Sequence, residues 1–435
     1  MSLARSSPAQ AISTLIRGTA SERGSVRGAI RLVNWSWVTV VASIGLCVVG
    51  VHAIDVAENL RPAGDLSSTA WKQVVFVIVG MLAAVFAALP HYKVIGLFAW
   101  PMLLGCLGLL VFLLVPFVPS WLVTPRNGAR GWINFGPMDF QPSEVTKIAY
   151  VLSVAMYMRY RSHHRKFRGL IIPGLITAVP VGLITLQPDL GTACLFAPSL
   201  FAMLIAAGAR KRHLVLIVVC AALAAPAAYP FLKPHQKERI VGLVKQIEGD
   251  RTTADDINYQ SFTAQMLIGS GEATGAGSSG SRALVHYNRL PESHNDMVFA
   301  VIVARFGFVG GVGVLGLYVA WIGGALLTSA TCRDPLGRLI CVGLAGFVAA
   351  QTVVNVGMNI GLLPIIGITL PFVSYGGSSL LTCWLMTGLI AGVGLHRPRP
   401  PFRESFDYAD GGDPDEARIP GGFRNAGFGG RALTR

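Results

Sequence analysis

The chain has 435 residues, of which 52% are hydrophobic and only 13% are charged, and its mean hydropathy is +0.56. A soluble domain carries about 25% charged residues, so this composition excludes most soluble folds and favours a membrane protein. The net charge of +14 is then expected in cytoplasmic loops rather than on a nucleic-acid-binding face. The seven cysteines are scattered without a CxxC pair and are interpreted as small core residues.

Apolar stretches long enough to cross the hydrocarbon layer, about 20 residues each, predict an all-α, polytopic membrane protein with about ten transmembrane helices. Residues 1–32 form a basic N-terminal tail that lacks the apolar region of a cleaved signal peptide. Residues 33–395 form the membrane domain, and 396–435 are expected to be a disordered cytoplasmic tail. The predicted spans are 33–54, 73–90, 94–118, 143–160, 169–186, 191–208, 213–231, 296–329, 336–360 and 371–395.

The Lys and Arg residues predict the orientation of these spans. Every second connection is basic, beginning with the N-terminal tail. Because basic connections stay in the cytoplasm, both termini are predicted to be cytoplasmic. The long outer loop 232–295 has apolar residues at helical spacing around 240–247, which indicates an interfacial amphipathic helix or a short helix packed on the loop itself. The outward connections are then 55–72, 119–142, 187–190, 232–295 and 361–370.

Two polar clusters surround the start of the fourth span. Glu144 and Lys147 in QPSEVTK are three residues apart, so they share a helix face and can form an ion pair, either as a structural pair or as part of a site. Upstream, NGARGWINFG places Arg130 and Trp132 in an outer loop. The Arg130 guanidinium suits a phosphate group or is simply a solvated loop cation, and Trp132 is a site residue or an interfacial anchor.

Three further clusters lie at the outer ends of other spans. Asp189 in QPDLGT caps the next helix or belongs to an active site, and Asp296 in PESHNDMVFA has the same two interpretations. Ser374 in LPFVSYGGSS sits among small residues that let helices or a ligand approach closely. All five clusters fall on the predicted outer half. This arrangement suits an anionic substrate from the outer leaflet, with Asp296 as a general base and cations or a metal ion stabilising a leaving group, as glycosyl transfer requires.

NGARGWINFG, QPSEVTK, QPDLGT, LPESHNDMVFA and MNIGLLPIIGITLPFVSYGGSS, in this order, resemble motifs of the SEDS family, the shape, elongation, division and sporulation proteins RodA, FtsW and SpoVE. The last motif and the IGSGEATGAG stretch look more like RodA. The resemblance implies a peptidoglycan glycosyltransferase in the bacterial cytoplasmic membrane that polymerises lipid II, a disaccharide on undecaprenyl pyrophosphate, at the outer face. It also implies a class B penicillin-binding protein as partner.

Carried over by motif position, the resemblance makes Asp296 the catalytic residue, which activates the acceptor hydroxyl or holds a divalent cation, Mg or Mn. It makes Glu144 and Lys147 the pair that lines the central cavity and gives Arg130, Asp189 and Ser374 substrate-binding roles. Two competing functions stay open: a lipid II flippase, which needs polar steps along its whole path, and a non-catalytic scaffold for a transpeptidase.

The chain departs from the family's pattern in two places. Ala304 and Arg305 stand where the family usually has two glutamates, and GEATGAGSSGSR at 271–282 replaces a shorter glycine motif. If the missing acids support the site, activity is altered; if they contact a partner, the partner differs. Arg305 also needs an anion or an aqueous path at that depth.

Overall fold

The computed structural model describes residues 34–59, 66–119, 121–123, 130–136, 139–159, 167–231, 234–248 and 258–396. The predicted N-terminal tail 1–32 and, apart from His396, the predicted C-terminal tail 396–435 lie outside the described residues.

The described part of the chain is almost entirely helical, with one small antiparallel sheet of β1 (Ile133–Asn134) and β2 (Asp139–Phe140). Two short 3-10 helices occupy Phe167–Leu170 and Tyr229–Phe231. The α-helices are α1 Ser36–Glu58, α2 Ser68–Ala88, α3 Tyr92–Leu97, α4 Ala99–Leu114, α5 Pro142–Arg159, α6 Ile171–Leu186, α7 Leu190–Cys194, α8 Phe196–Ala206, α9 Lys211–Ala228, α10 Pro234–Ile247, α11 Tyr259–Ser270, α12 Gly277–Tyr287, α13 Val298–Thr331, α14 Pro335–Asn359 and α15 Gly377–Leu395.

Each of the ten predicted spans coincides with a helix or with a pair of consecutive helices. Six helical segments are long and apolar enough to cross a membrane by length and composition alone. Two further apolar segments, Ala99–Leu114 and Leu190–Ala206, are shorter. The α5 helix has the length but also holds Glu144, Lys147 and Arg159. The chain is therefore a multi-pass, all-α membrane protein.

Backbone conformation explains two differences from the predicted spans, one at a helix start and one inside a helix. The last helix begins at Gly377 rather than at 371, because Phe372 and Gly376 have φ values of 66° and 158° and form a turn. The α13 helix is interrupted at Gly307, whose φ of 69° and ψ of −169° are not helical. A backbone with these angles has no steric cost at glycine, so α13 consists of two helical halves joined at a kink.

Small residues let the longest helices pack closely around the core. The α15 helix packs against α2, where a Cβ added to Gly388 would lie 2.3 Å from the carbonyl oxygen of Ala84. The α13 helix packs against α1, and α14 lies between α13 and α8. Close backbone contact of this kind replaces hydrophobic collapse as the source of helix association in lipid. The outward faces carry exposed apolar side chains such as Phe86 and Val319.

The described part of the loop 232–295, which is predicted to face outward, contains three helices, α10, α11 and α12. The predicted amphipathic helix is confirmed as α10, and its apolar residues Ile240 and Val244 are exposed. Its position at a membrane surface stays a prediction. The α12 helix is fixed to the end of α1, because Arg282 forms a buried ion pair with Asp55 at 2.5 Å.

Candidate functional site

A cavity of about 760 Å³ opens at the end of the bundle where the connections predicted to face outward converge. Its wall combines residues from the start of α2, the β1–β2 hairpin, the start of α5, the α6–α7 connection, the segment before α13 and the segment before α15. The charged or titratable residues of this wall are Lys72, Asp139, Glu144, Lys147, Asp189, Glu292, His294 and Asp296.

Glu144 and Lys147 form the predicted ion pair in the first turns of α5. The distance from Lys147 Nζ to Glu144 Oε1 is 2.7 Å, and their side chains are 1% and 6% exposed for Lys147 and Glu144. Lys147 Nζ also donates to Gln351 Oε1 on α14 at 3.2 Å. A buried charge without a partner would be strongly destabilising, so each member of the pair makes the other tolerable at the floor of the cavity.

Asp189 caps a helix and also lines the cavity. Its Oδ1 accepts from the backbone N–H of Thr192 at 3.0 Å and so caps α7, while its Oδ2 accepts from Gln141 Nε2 at 3.3 Å. The residue also lines the cavity. Burial raises the pKa of the Asp189 carboxyl above its ordinary value, and the hydrogen bond from Thr192 opposes that rise.

Asp296 lines the cavity and does not cap the helix that follows it. The residue at the cap position of α13 is Met297, which makes no side-chain capping bond, so the N-cap interpretation of Asp296 is wrong. The backbone carbonyl of Asp296 accepts from Asn355 Nδ2 at 2.8 Å and from Asn359 Nδ2 at 3.0 Å. A Cβ added to Gly367 would lie 3.4 Å from Asp296 Oδ2, so this glycine leaves room beside the carboxylate.

Arg130 and Ser374 do not belong to the cavity wall. Arg130 is partly exposed in the segment before β1, and it is Trp132, two residues later, that lines the cavity. Ser374 is only 5% exposed, because its hydroxyl donates to the Asn295 carbonyl at 2.6 Å and accepts from the Leu370 N–H at 2.7 Å. Ser374 thus joins two loops behind the wall, and its substrate-binding role stays a prediction.

Lys72 and Gln351 are among the wall residues that sequence reasoning missed. Lys72 lies directly before the second predicted span, and a cation at the outer end of a span was the signal. Gln351 lies in the middle of the apolar span 336–360, where an amide at membrane depth requires a partner. Glu292 and His294, which belong to the same PESHNDMVFA segment as Asp296, also line the cavity.

Ala304 and Arg305 contact the stretch 271–282, so the two places where the chain departs from the SEDS pattern lie together. Neither place lines the cavity. The N–H of Ala276 donates to the Ala304 carbonyl at 3.0 Å, and the N–H of Phe308 donates to the Glu272 carbonyl at 2.8 Å. The segment 271–276 therefore fills the kink of α13. The Arg305 guanidinium lies over the Phe306 ring at 5.1 Å from its centroid.

The wall carries more negative than positive charge. It holds five carboxylates and two lysines, and Lys147 is already paired with Glu144. Among the described residues no three His, Cys, Asp or Glu side chains are grouped to hold a metal ion. Mg²⁺ usually keeps several waters and is bound by one or two carboxylates together with substrate phosphates. Asp296 fits this kind of Mg²⁺ site, in which one carboxylate binds the ion together with substrate phosphates.

Comparison with known proteins is consistent across sequence and structure. The family of FtsW, RodA and SpoVE cell cycle proteins matches residues 34–398. A probable peptidoglycan glycosyltransferase FtsW from Xanthomonas oryzae is 32% identical over 364 residues, covering 82% of this chain and 71% of that protein. Stage V sporulation protein E of Bacillus subtilis is 30% identical over 324 residues, 74% of this chain and 86% of that protein.

Solved structures agree with these matches. A structure described as the structural coordination of polymerization and crosslinking by a peptidoglycan synthase complex contains a chain with a TM-score of 0.68, 29% identity and coverage of 82% of this chain and 97% of that one. The rod shape determining protein RodA of Thermus thermophilus has a TM-score of 0.60 and 27% identity over 84% of this chain and 98% of its own. Since both FtsW and RodA occur among the matches, the greater likeness to RodA stays a prediction. The chain belongs to the FtsW, RodA and SpoVE family, the SEDS proteins.

Proposed function

We propose that this protein is a peptidoglycan glycosyltransferase that polymerises lipid II at the outer face of the bacterial cytoplasmic membrane, for cell elongation and shape or for division. The observation that carries the proposal is the position of Asp296, whose carboxylate lines a cavity of about 760 Å³ together with the buried Glu144–Lys147 pair. The similarity to proteins named peptidoglycan glycosyltransferase supports the same activity.

In the proposed reaction, Asp296 accepts the proton of the acceptor 4-hydroxyl as that oxygen attacks the anomeric carbon of the donor sugar. The new glycosidic bond forms while the bond from the anomeric carbon to the pyrophosphate breaks, and lipid pyrophosphate leaves. A positioned general base of this kind contributes about 10²- to 10⁴-fold to the rate. Lys147 and Lys72, which both line the cavity, stabilise the negative charge of the leaving group.

The surplus of carboxylates in the wall opposes an anionic substrate unless additional positive charge enters with it. A divalent cation, Mg or Mn, would supply that charge when bound; in this alternative to its role as general base, Asp296 would hold the cation together with the substrate pyrophosphate. Arg130, on the segment that leads to Trp132, is proposed as a second cation that meets the substrate at the mouth of the cavity.

A class B penicillin-binding protein is the proposed partner, because the similar solved chain comes from a complex that coordinates polymerisation and crosslinking. The alternation of basic connections supports a cytoplasmic location of both termini. In this orientation the cavity faces the side on which a crosslinking transpeptidase works.

The test is glycan polymerisation by the purified full-length protein together with its cognate transpeptidase, with lipid II and Mg²⁺ as reactants. Wild type is compared with Asp296→Asn and with Glu272→Gln, which makes the same chemical change at an exposed carboxylate of the outer loop. We expect polymer from wild type and Glu272→Gln and none from a folded Asp296→Asn protein, with folding checked by thermal melting.

Two results would overturn parts of the proposal. Equal polymer from wild type and Asp296→Asn would reject the site. No polymer from any of the proteins, combined with translocation of lipid II in vesicles, would reject the glycosyltransferase in favour of a flippase.

A further inference from the structure

We infer that three side-chain amides on α14, those of Gln351, Asn355 and Asn359, form a ladder that sets the position of Asp296 relative to the Glu144–Lys147 pair. The three residues are four apart and therefore lie on one face of the helix. All three are buried, at 4%, 0% and 0% exposure. The inference rests on the proposed function, since it concerns how the general base is held.

The first amide connects the ion pair to the segment before α15. Gln351 Oε1 accepts from Lys147 Nζ at 3.2 Å, and Gln351 Nε2 donates to the Thr369 carbonyl at 2.9 Å. One planar amide makes both bonds. The distance between the ammonium of Lys147 and the 366–369 segment can therefore change only as far as these two hydrogen bonds can stretch or bend.

The second amide joins the two segments that flank the Asp296 carboxylate. Asn355 Nδ2 donates to the Ile368 carbonyl at 2.7 Å and to the Asp296 carbonyl at 2.8 Å. Gly367, where an added Cβ would lie 3.4 Å from Asp296 Oδ2, is the neighbour of Ile368. The Asn355 amide thus holds the residue with the carboxylate and the segment beside it at a set separation.

The third amide connects the Asp296 backbone to the first turn of α13. Asn359 Oδ1 accepts from the N–H of Ala300 in that turn at 3.2 Å, and Asn359 Nδ2 donates to the Asp296 carbonyl at 3.0 Å. First-turn N–H groups lack a partner four residues back in their own helix. The N–H of Ala300 is shared between the Met297 carbonyl at 3.1 Å and Asn359 of a second helix, so α14 holds both Asp296 and the start of α13.

The physical consequence is positional accuracy. Polar side chains at membrane depth are costly unless they are bonded, and these amides direct their hydrogen bonds to the candidate site. A misplacement of about 1 Å at a reacting group can lower a rate by about 10²-fold. We therefore assign Gln351, Asn355 and Asn359 as positioning residues, which act through Asp296 and Lys147 and need not touch the substrate.

The experiment measures kcat and KM for lipid II with the full-length protein and its transpeptidase for wild type, Asn355→Ala and Gln351→Ala. The second substitution removes the amide that joins Lys147 Nζ to the Thr369 carbonyl, and it leaves the Glu144–Lys147 pair in place. We expect both to lower kcat by about 10- to 100-fold, as loss of supporting contacts does around other sites, with KM within about twofold of wild type.

The matched control is Asn258→Ala. Asn258 is also buried, and its Nδ2 donates to the Gly242 carbonyl at 2.8 Å, but in the outer loop and away from the cavity wall. This variant should keep the kcat and KM of wild type. A ladder variant with the kcat of wild type, or one that loses activity only in proportion to a lowered melting temperature, would overturn the inference.

These outcomes are distinct from a failure of the proposed function, which shows as the absence of polymer from wild type. If Asn355→Ala does not fold, Gln351→Ala alone decides between the two results.

Discussion

Asp189 and Asp296 occupy similar positions in the sequence, but the folded protein forms different hydrogen bonds with them. Each lies on the predicted outer side just before a helix, and each follows a short polar segment. Asp189 caps its own helix through the N–H of Thr192. The residue at the cap position of the helix after Asp296 is Met297, which makes no side-chain capping bond, and the first-turn N–H of Ala300 bonds to the Met297 carbonyl and to Asn359 Oδ1 of α14. The Asp189 carboxylate therefore caps a helix as well as lining the cavity, whereas Asp296 lines the cavity without occupying the cap position.

The role of a carboxylate at a helix start therefore depends on which of its atoms its neighbours bond. Around Asp296 the surrounding amides bond to the backbone carbonyl, as Asn355 and Asn359 do. Around Asp189 the bonds go to the carboxylate itself, from Thr192 and Gln141.

The largest expected effect is on catalysis at Asp296. We expect Asp296→Asn to lower the rate of polymerisation by about 10²- to 10⁴-fold, because the amide cannot accept the proton of the hydroxyl. The melting temperature should stay close to that of wild type, since the side chain caps no helix. An active Asp296→Asn protein would remove the contrast altogether.

The next effect concerns the Glu144–Lys147 ion pair in the cavity wall. We expect Glu144→Gln to reduce the free energy of unfolding by about 3–5 kcal/mol, because the buried Lys147 ammonium loses its counter-charge. The double variant Glu144→Gln/Lys147→Met removes both charges and should recover much of this stability in thermal melts. If the single variant melts like wild type, the pair is solvated and the cavity floor is not as the structure places it.

A smaller effect is expected at Gly367, whose φ is 68°. Gly367→Ala introduces backbone strain of about 1–2 kcal/mol and places a Cβ 3.4 Å from Asp296 Oδ2. We expect lower stability together with a lower kcat. Gly208→Ala is the control, because Gly208 has a φ of 85° with no atom within 4 Å of an added Cβ, so it should lose stability while its kcat remains normal. Equal kcat values for the two variants would contradict the close approach.

The smallest effect is expected at Asp189. Asp189→Ala removes the cap of α7, and lost caps cost about 0.5–2 kcal/mol, which a shift in the melting temperature measures. Ser67→Ala, which removes the side-chain cap of α2 made to the N–H of Ala70, provides the scale for a purely structural cap. A fall in polymerisation for Asp189→Ala beyond that of Ser67→Ala would show that the cavity-facing oxygen contributes to the reaction as well.

The sequence was sufficient for the helices and for much of the cavity. Apolar length places every span, because the bilayer imposes one length scale on each helix, and the i, i+3 spacing of Glu144 and Lys147 correctly predicts their ion pair. Charge alternation also places the polar clusters on one side, where the structure brings Glu144, Lys147, Asp189 and Asp296 together.

What the sequence could not supply depends on contacts between distant segments. The position of Ser374 behind the wall follows from bonds to Asn295 and Leu370, and the first of these links residues 79 positions apart. The three amides of α14 appear in the sequence as polar interruptions of an apolar span, and only the fold shows that they bond to Lys147, Asp296 and α13.

The kink of α13 has a mechanical consequence. Because the segment 271–276 is hydrogen-bonded to the backbone on both sides of Gly307, the outer loop is coupled to the half-helix that starts two residues after Asp296. A protein that bound to this loop and displaced it would therefore also displace this half-helix through the backbone hydrogen bonds. The half-helix would then rotate at the kink, because the remainder of α13 packs against α1.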